Sequence, residues 1–376
     1  MSLDFSQRPL LVFWETTRAC ALACRHCRAS AMPHPLPGEL TAAEGRDLVR
    51  QVAAFGRPNP VLVLTGGDCL ARPEIFEVAG LAAKLGIHPA MSPSVTPRLE
   101  PASFRRMREA GVSVVSISLD GAQASTHERI RGIGGHFAST VAAIRAAVAA
   151  GLKVQVNTAV MRDNLEELPE VAALLARLGV DIWEVFFLVI TGRAAEEAQV
   201  SAGECEDACH LLYDASGYGF VVRTVEAPFF RRVAGWRRDR GPLGPVAVAE
   251  TFGLGDYYRR SAERLRSLLG EPVHRPAAQT VSTRDGAGIV FIAHNGDVYP
   301  AGFLPLPLGN VRDRPLAEIY RDHELLRAIR RGDLHGRCGV CEYRQLCGGS
   351  RARAYASIGD PLGEDPACSY RPLVEA

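Results

Sequence analysis

The sequence predicts an α/β protein: a parallel sheet of six strands with helices outside it, followed by a small C-terminal α+β unit. Three observations predict this. Apolar strands alternate with helical stretches through the first half of the 376 residues. Each strand follows or precedes a helix, which is the repeated unit of a parallel sheet with right-handed crossovers. The last ninety or so residues change character, with a hairpin signal, one helix and a group of four cysteines.

The elements follow in order. Residues 10–16 read as a strand running into a cysteine-bearing loop. Residues 41–55 read as a helix, with Thr41 as N-cap and Glu44 three residues on. Residues 61–64 form a short buried strand ending at Thr65-Gly66-Gly67-Asp68. Residues 73–85 are helical and 87–95 extended; 101–110 are helical and 112–119 alternate as a strand. An alanine-rich helix over 137–150 leads to a strand over 153–160, and a helix over 168–178 to a strand over 182–190. Parallel sheets of this kind gather functional residues at the C-terminal ends of their strands. The cysteine loop, Gly66-Gly67-Asp68, Ser118 to Asp120 and Asn157 all fall at such ends and converge.

Beyond residue 200 the pattern weakens. Residues 202–213 look helical, but 223–286 are poorly periodic and hold five prolines. Within them Phe229-Phe230-Arg231-Arg232 and Trp236-Arg237-Arg238 read as a connector with solvated arginines, the alternative being a substrate-docking flap. Two short strands around Asn295-Gly296 predict a hairpin, and 316–331 a helix. The expected division is a core over 1–200, a bridging region over 201–285 and a cysteine-bearing unit over 286–376.

Composition narrows the function. There are 43 basic and 42 acidic residues, a net charge of +1, which argues against a nucleic-acid partner. No apolar run approaches the roughly 20 residues of a spanning helix, and residues 1–8 carry no apolar signal core. The expected location is the cytoplasm, with no membrane partner. Lysine occurs only at Lys84 and Lys153, so arginine supplies 41 of the 43 basic residues. A GC-rich genome explains that bias; arginine forks for an anionic substrate are the other reading.

Ten cysteines in a reducing compartment point to metal or catalytic thiols rather than disulfides. Seven fall in two groups: Cys20, Cys24 and Cys27, then Cys338, Cys341, Cys347 and Cys368. A structural zinc site wants four ligands, and His26 cannot easily complete the first group. A four-iron cube held by three thiolates leaves one iron open to a non-protein ligand. The second group alone also suits a zinc ribbon. Cys205 and Cys209, one helical turn apart, read as buried small hydrophobes. Cys69, just after the glycine pair, is a candidate thiol near the site.

Cys20-x3-Cys24-x2-Cys27, with His26 before the last cysteine, resembles the cluster loop of radical S-adenosylmethionine (SAM) enzymes. The resemblance implies a partial (β/α)6 TIM-like barrel. It implies a [4Fe–4S] cluster whose open iron is chelated by SAM, and reductive cleavage of SAM to a 5′-deoxyadenosyl radical that abstracts hydrogen from substrate. It also implies an external electron donor such as flavodoxin or ferredoxin. Gly66-Gly67-Asp68 resembles the family's motif that receives the methionine amino group. Ser118 is then expected to bond the SAM carboxylate with Arg131 as its charged partner, and Asn157 to contact the ribose. The 338–368 segment resembles the second half of a SPASM or twitch domain, an auxiliary-cluster module. Ala301 and Arg351 stand where that family has further cysteines, which implies one auxiliary [4Fe–4S] cluster held by Cys338, Cys341, Cys347 and Cys368. The run Arg351-Ala352-Arg353-Ala354-Tyr355 looks most like haem-pathway members that act on tetrapyrrole side chains. Peptides and other small molecules are the alternative substrates, and a non-catalytic zinc-binding adaptor is the alternative of another class.

Overall fold

A computed structural model describes residues 4–278, 281 and 283–373. One ten-stranded sheet organises the chain: β1 (Leu11–Glu15), β2 (Val61–Thr65), β3 (His88–Met91), β4 (Val114–Ser118), β5 (Lys153–Val160), β6 (Ile182–Phe187), β7 (Val221–Val225), β8 (Ile289–Ile292), β9 (Asp297–Tyr299) and β10 (Gly309–Asn310). Strands β1 to β7 lie in sequence order and all pair in parallel. The six expected strands are present, with helices between them as the alternation required. The helix over Ala42–Ala53 starts as anticipated, in a full capping box between Thr41 and Glu44.

The strands bury two different faces, because successive side chains point to opposite sides. One face carries Val12, Trp14, Leu62, Leu64, Val115, Ile117, Val154, Val156, Trp183 and Val185, all fully buried in the helix-covered core. The other carries Phe13, Val63, Ser116, Ser118, Gln155, Asn157, Glu184, Phe186 and Arg223 and lines a large internal cavity. Polar residues on an otherwise apolar parallel strand are thus explained by the cavity rather than by the core.

Three expectations need correction. The bridging region is not a loose connector. It supplies a seventh parallel strand, β7, and three helices over Phe230–Arg240, Pro245–Phe252 and Asp256–Leu269. Three of the four arginines expected to be solvated are not: Arg231, Arg232 and Arg237 are buried, while Arg238 is exposed as expected. Arg232 pairs with Glu206 at 2.7 Å and stacks over Trp236 and Tyr370, and Arg237 pairs with Asp214 and stacks over Tyr213. Arginine tolerates burial when its fork is matched and its stem is covered. Second, the C-terminal unit is not set apart, since β8 pairs in parallel with β1 over Leu11 to Trp14 and the β8–β9 hairpin extends the same sheet. Third, the helix expected over 316–331 breaks at His323 into Leu316–Asp322 and Glu324–Arg331. No helix among the described residues is long and apolar enough to cross a membrane.

Candidate active site

The loop after β1 brings Cys20, Cys24 and Cys27 together with Leu22 and Ala31 in a small buried cluster facing the cavity. Donors surround its sulfurs. The Leu22 amide stands 3.4 Å from Cys20 Sγ, the Ala31 amide 3.5 Å from Cys27 Sγ, and Arg131 Nη1 3.7 Å from Cys24 Sγ, while the Ser94 hydroxyl, 3.5 Å from Cys20 Sγ, donates to the Gly67 carbonyl at 2.7 Å. Donors aimed at sulfur favour thiolate over thiol, as a cluster ligand requires. Three thiols gathered at one cavity wall, with amide and guanidinium donors near their sulfurs, have the chemistry that a four-iron cube with one open corner asks of its ligands.

The glycine pair has a packing role that spacing alone did not disclose. Gly66 has φ +140°, and a Cβ there would meet the Thr17 carbonyl at 2.4 Å; a Cβ on Gly67 would meet the Ala19 carbonyl at the same distance. The absent side chains let the end of β2 press onto the cysteine loop, where the Gly67 amide donates to Thr17 (2.8 Å) and the Asp68 amide to Ala19 (2.7 Å). Both glycines line the cavity. The Asp68 carboxylate is engaged within the protein. It is fully buried, accepts from the Leu70 amide and from the Thr96 hydroxyl at 2.8 Å, and its pKa is pushed up by burial.

Ser118, Asn157, Glu184 and Arg223 sit at matched register positions on β4 to β7, forming one polar row across the cavity floor. Ser118 and Asn157 therefore stand side by side. Gln155 donates to Asn157 (2.8 Å) and to Glu184 (2.7 Å). Burial pushes the Glu184 carboxyl up, with Arg223 opposing. Arg131, expected as the charged partner of the SAM carboxylate, lines the cavity but is already paired within the protein. Its Nη2 lies 2.6 Å from Asp120 Oδ2, so its charge is already matched. Burial alone would raise the Asp120 carboxyl, but Arg131, with smaller help from His26, holds it below the usual range. His26, 3.6 Å from Asp120, is pushed down to about 4 by burial and is neutral at pH 7.

Several contributors had no local sequence signal. Arg193, beyond β6, clamps the cysteine loop through the Cys24 and Ala31 carbonyls at 3.0 and 2.9 Å. Glu15, at the end of β1, joins Arg28 (2.9 Å) and His294 (3.0 Å). Cys69, by contrast, lies at 0% exposure in the main core with its pKa raised well above the usual by burial, so the structure does not bring that thiol to the cavity. Cys205 and Cys209 are buried in the core as expected.

Cys338, Cys341, Cys347 and Cys368 line a second, much smaller pocket together with Arg232, Tyr343 and Tyr370. The Gly349 amide stands 3.4 Å from Cys347 Sγ and Arg351 Nη2 3.7 Å from Cys338 Sγ. Arg351 is wholly buried, and its guanidinium also donates to the Gly363 carbonyl at 2.5 Å. Arg353 pairs with Asp365 at 3.1 Å and donates to the Glu226 carbonyl. These two arginines build the cysteine-bearing fold; they are not held out to a substrate. Gly349 also lines the large cavity, which thus reaches the wall of the second pocket. On that wall burial and the neighbouring Asp285 push Glu226 up to about 8.

The model of the radical SAM superfamily matches residues 14–175, and that of SPASM, an iron–sulfur cluster-binding domain, matches 285–342. The AdoMet-dependent heme synthase of Nitratidesulfovibrio vulgaris is 37% identical over 374 residues, covering 98% of this chain and 94% of that protein. The chain belongs to the radical SAM superfamily. The pre-heme d1 synthase of Dinoroseobacter shibae is 30% identical over 373 residues, covering 95% of this chain and 85% of that protein. Among solved structures, Streptococcus suis SuiB bound to S-adenosylmethionine shares the fold, with a TM-score of 0.70 at 13% identity over 97% of this chain and 78% of that one. This radical SAM enzyme therefore works with a [4Fe–4S] cluster and SAM, and its SPASM segment adds auxiliary iron–sulfur chemistry.

Proposed function

We propose that this radical SAM enzyme abstracts hydrogen from a carboxylate-bearing side chain of a tetrapyrrole. The observation that carries this reading is full-length similarity to AdoMet-dependent heme synthases, at 37% and 35% identity over 98% of the chain. A protein named Fe-coproporphyrin III synthase is 26% identical over 97% of the chain. The cavity agrees in kind: at about 390 Å³ it has aromatic walls from Phe13, Phe186, Phe291 and Phe303 above a polar floor.

In this reading Cys20, Cys24 and Cys27 hold the cluster, and SAM bound to it supplies the 5′-deoxyadenosyl radical. The β2 end offers the Gly66–Gly67 backbone to the methionine amino group, with Asp68 bracing that turn from behind. Ser118 orients the carboxylate end and Asn157 the ribose. Arg131 acts one step back, through Asp120 and the Cys24 sulfur. Cys338, Cys341, Cys347 and Cys368 hold one auxiliary [4Fe–4S] cluster, fully ligated and suited to electron transfer. A flavodoxin or ferredoxin in the cytoplasm supplies the reducing electron.

The test is anaerobic reconstitution followed by turnover with iron coproporphyrin III and with a sirohaem-type substrate. Formation of 5′-deoxyadenosine coupled to loss of a side-chain carboxylate supports the reading. Coupled turnover of a peptide, with neither tetrapyrrole processed, would replace it. A protein 27% identical over 97% of the chain is named PqqA peptide cyclase, which makes that peptide a fair competitor.

A further inference from the structure

Five arginines line the large cavity: Arg28, Arg131, Arg223, Arg231 and Arg284. Four are already committed to the protein. Arg28 pairs with Glu15 and donates to the Gly302 carbonyl. Arg131 pairs with Asp120. Arg231 donates to the Leu346 and Thr283 carbonyls, and Arg284 to those of Gln345 and Ile329. Arg223 is different. Its guanidinium makes no hydrogen bond or ion pair to any described residue; its Nε is buried without a partner, as are those of Arg131 and Arg284, but the terminal nitrogens of those two are engaged. Leaving a buried donor unmatched costs about 1–3 kcal/mol, so a cation left this way in a functional cavity has a ligand to meet.

Its surroundings say what kind. Arg223 closes the polar row at the β7 end, beside Glu184 at the matched position on β6. The two do not form an ion pair within 4 Å, and Gln155 already engages a Glu184 oxygen. The fork is therefore available to another carboxylate, with which it can bond at two points. Phe186 stands two positions beyond Glu184 on β6 and gives an apolar face alongside.

We propose that Arg223 is the specificity-determining cation that seats a carboxylate of the substrate over the ends of β6 and β7. It thereby sets which side chain is turned toward Cys20, Cys24 and Cys27. The inference rests on the tetrapyrrole reading above and deepens it by naming the group that recognises the anionic side chain. Glu184, the neighbour of Arg223 in the strand register, is held by Gln155 and makes no ion pair with Arg223, which leaves the guanidinium to the ligand.

The experiment uses the reconstituted holoenzyme with iron coproporphyrin III and its methyl ester, comparing wild type, Arg223→Gln and Arg223→Lys. The cluster absorbance of each variant must match wild type, which separates a substrate effect from misfolding. The expected result is a rise in KM for the free acid of at least about 10-fold in Arg223→Gln, as for loss of one partner of a desolvated charge pair. Arg223→Lys recovers part of that loss. The wild-type preference for acid over ester shrinks in Arg223→Gln by the same factor. If Arg223→Gln keeps KM and the acid-over-ester preference within twofold of wild type, the assignment of Arg223 is overturned and the tetrapyrrole reading stands. If wild type neither binds nor turns over the porphyrin acid, the tetrapyrrole reading fails and takes this inference with it.

Discussion

The Asp120–Arg131 pair is the most exposed point of the reasoning, because it ties the fourth strand to the cluster loop. Asp120 is 1% and the Arg131 side chain 11% exposed, and the two meet at 2.6 Å. With charge centres about 4 Å apart and an effective dielectric near 20, their attraction is about 4 kcal/mol. That matches the roughly 3–5 kcal/mol lost when one partner of a buried pair is removed and the other is stranded. Arg131→Leu should therefore destabilise the protein by about 3–5 kcal/mol. Asp120→Asn keeps an acceptor for the Ala159 amide, which bonds Oδ1 at 2.8 Å, yet it strands Arg131 and should cost a similar amount. The double variant strands neither charge. Its loss should fall short of the sum of the singles by at least about 2 kcal/mol. The assay is anaerobic urea unfolding of all four proteins, with cluster absorbance followed alongside. Additive losses, or an Arg131→Leu cost under about 1 kcal/mol, would refute the claim that this pair holds the loop in place.

Other expectations are simpler. Gly67→Ala forces a Cβ to within 2.4 Å of the Ala19 carbonyl and should prevent the loop from seating; iron analysis should show the first cluster lost while the second remains. Cys368→Ala should lower iron content from about eight atoms to about four, and Cys69→Ala should leave it unchanged. His127, buried against His136 at 2.8 Å, is pushed down to about 3 by burial and then by Arg131. An unfolded chain takes up that proton below about pH 6.5. The sign is therefore a stability that is full above pH 6.5 and lost as pH falls toward 3, at up to about 1.4 kcal/mol per pH unit. Stability measured against pH should flatten in this range in His127→Gln. A slope as steep as wild type's would assign the effect elsewhere.

Much of the site was legible because it is written locally. The spacing of Cys20, Cys24 and Cys27 puts three thiols on one loop whatever the rest of the chain does. The strand-to-turn patterns at Gly66 and Ser118 placed those residues at strand ends, where the sheet gathers them; Asn157 lies within β5 rather than at its end and reaches the cavity through its register with Ser118. What escaped depends on pairing between distant segments. Glu184 and Arg223 come into the polar row only through the β5–β6 and β6–β7 registers. Arg193 reaches Cys24 across 169 positions. The arginine-rich helix over Phe230–Arg240 read as solvated because composition suggests exposure for arginine, and only the fold supplied Glu206, Trp236 and Tyr370 to cover it. Asp68 escaped for the opposite reason: its motif was visible, but the partners that consume its oxygens were not.

The pairing of β8 with β1 has a consequence for electron flow. The strand that launches the first iron site and the strand that opens the second cysteine-bearing module are rungs of one ladder. If an electron passes between the two cysteine groups, the start of its path is tied into one sheet through this pairing rather than hung on a swinging tether. Lengthening the surface turns that join the helices should leave that pairing untouched.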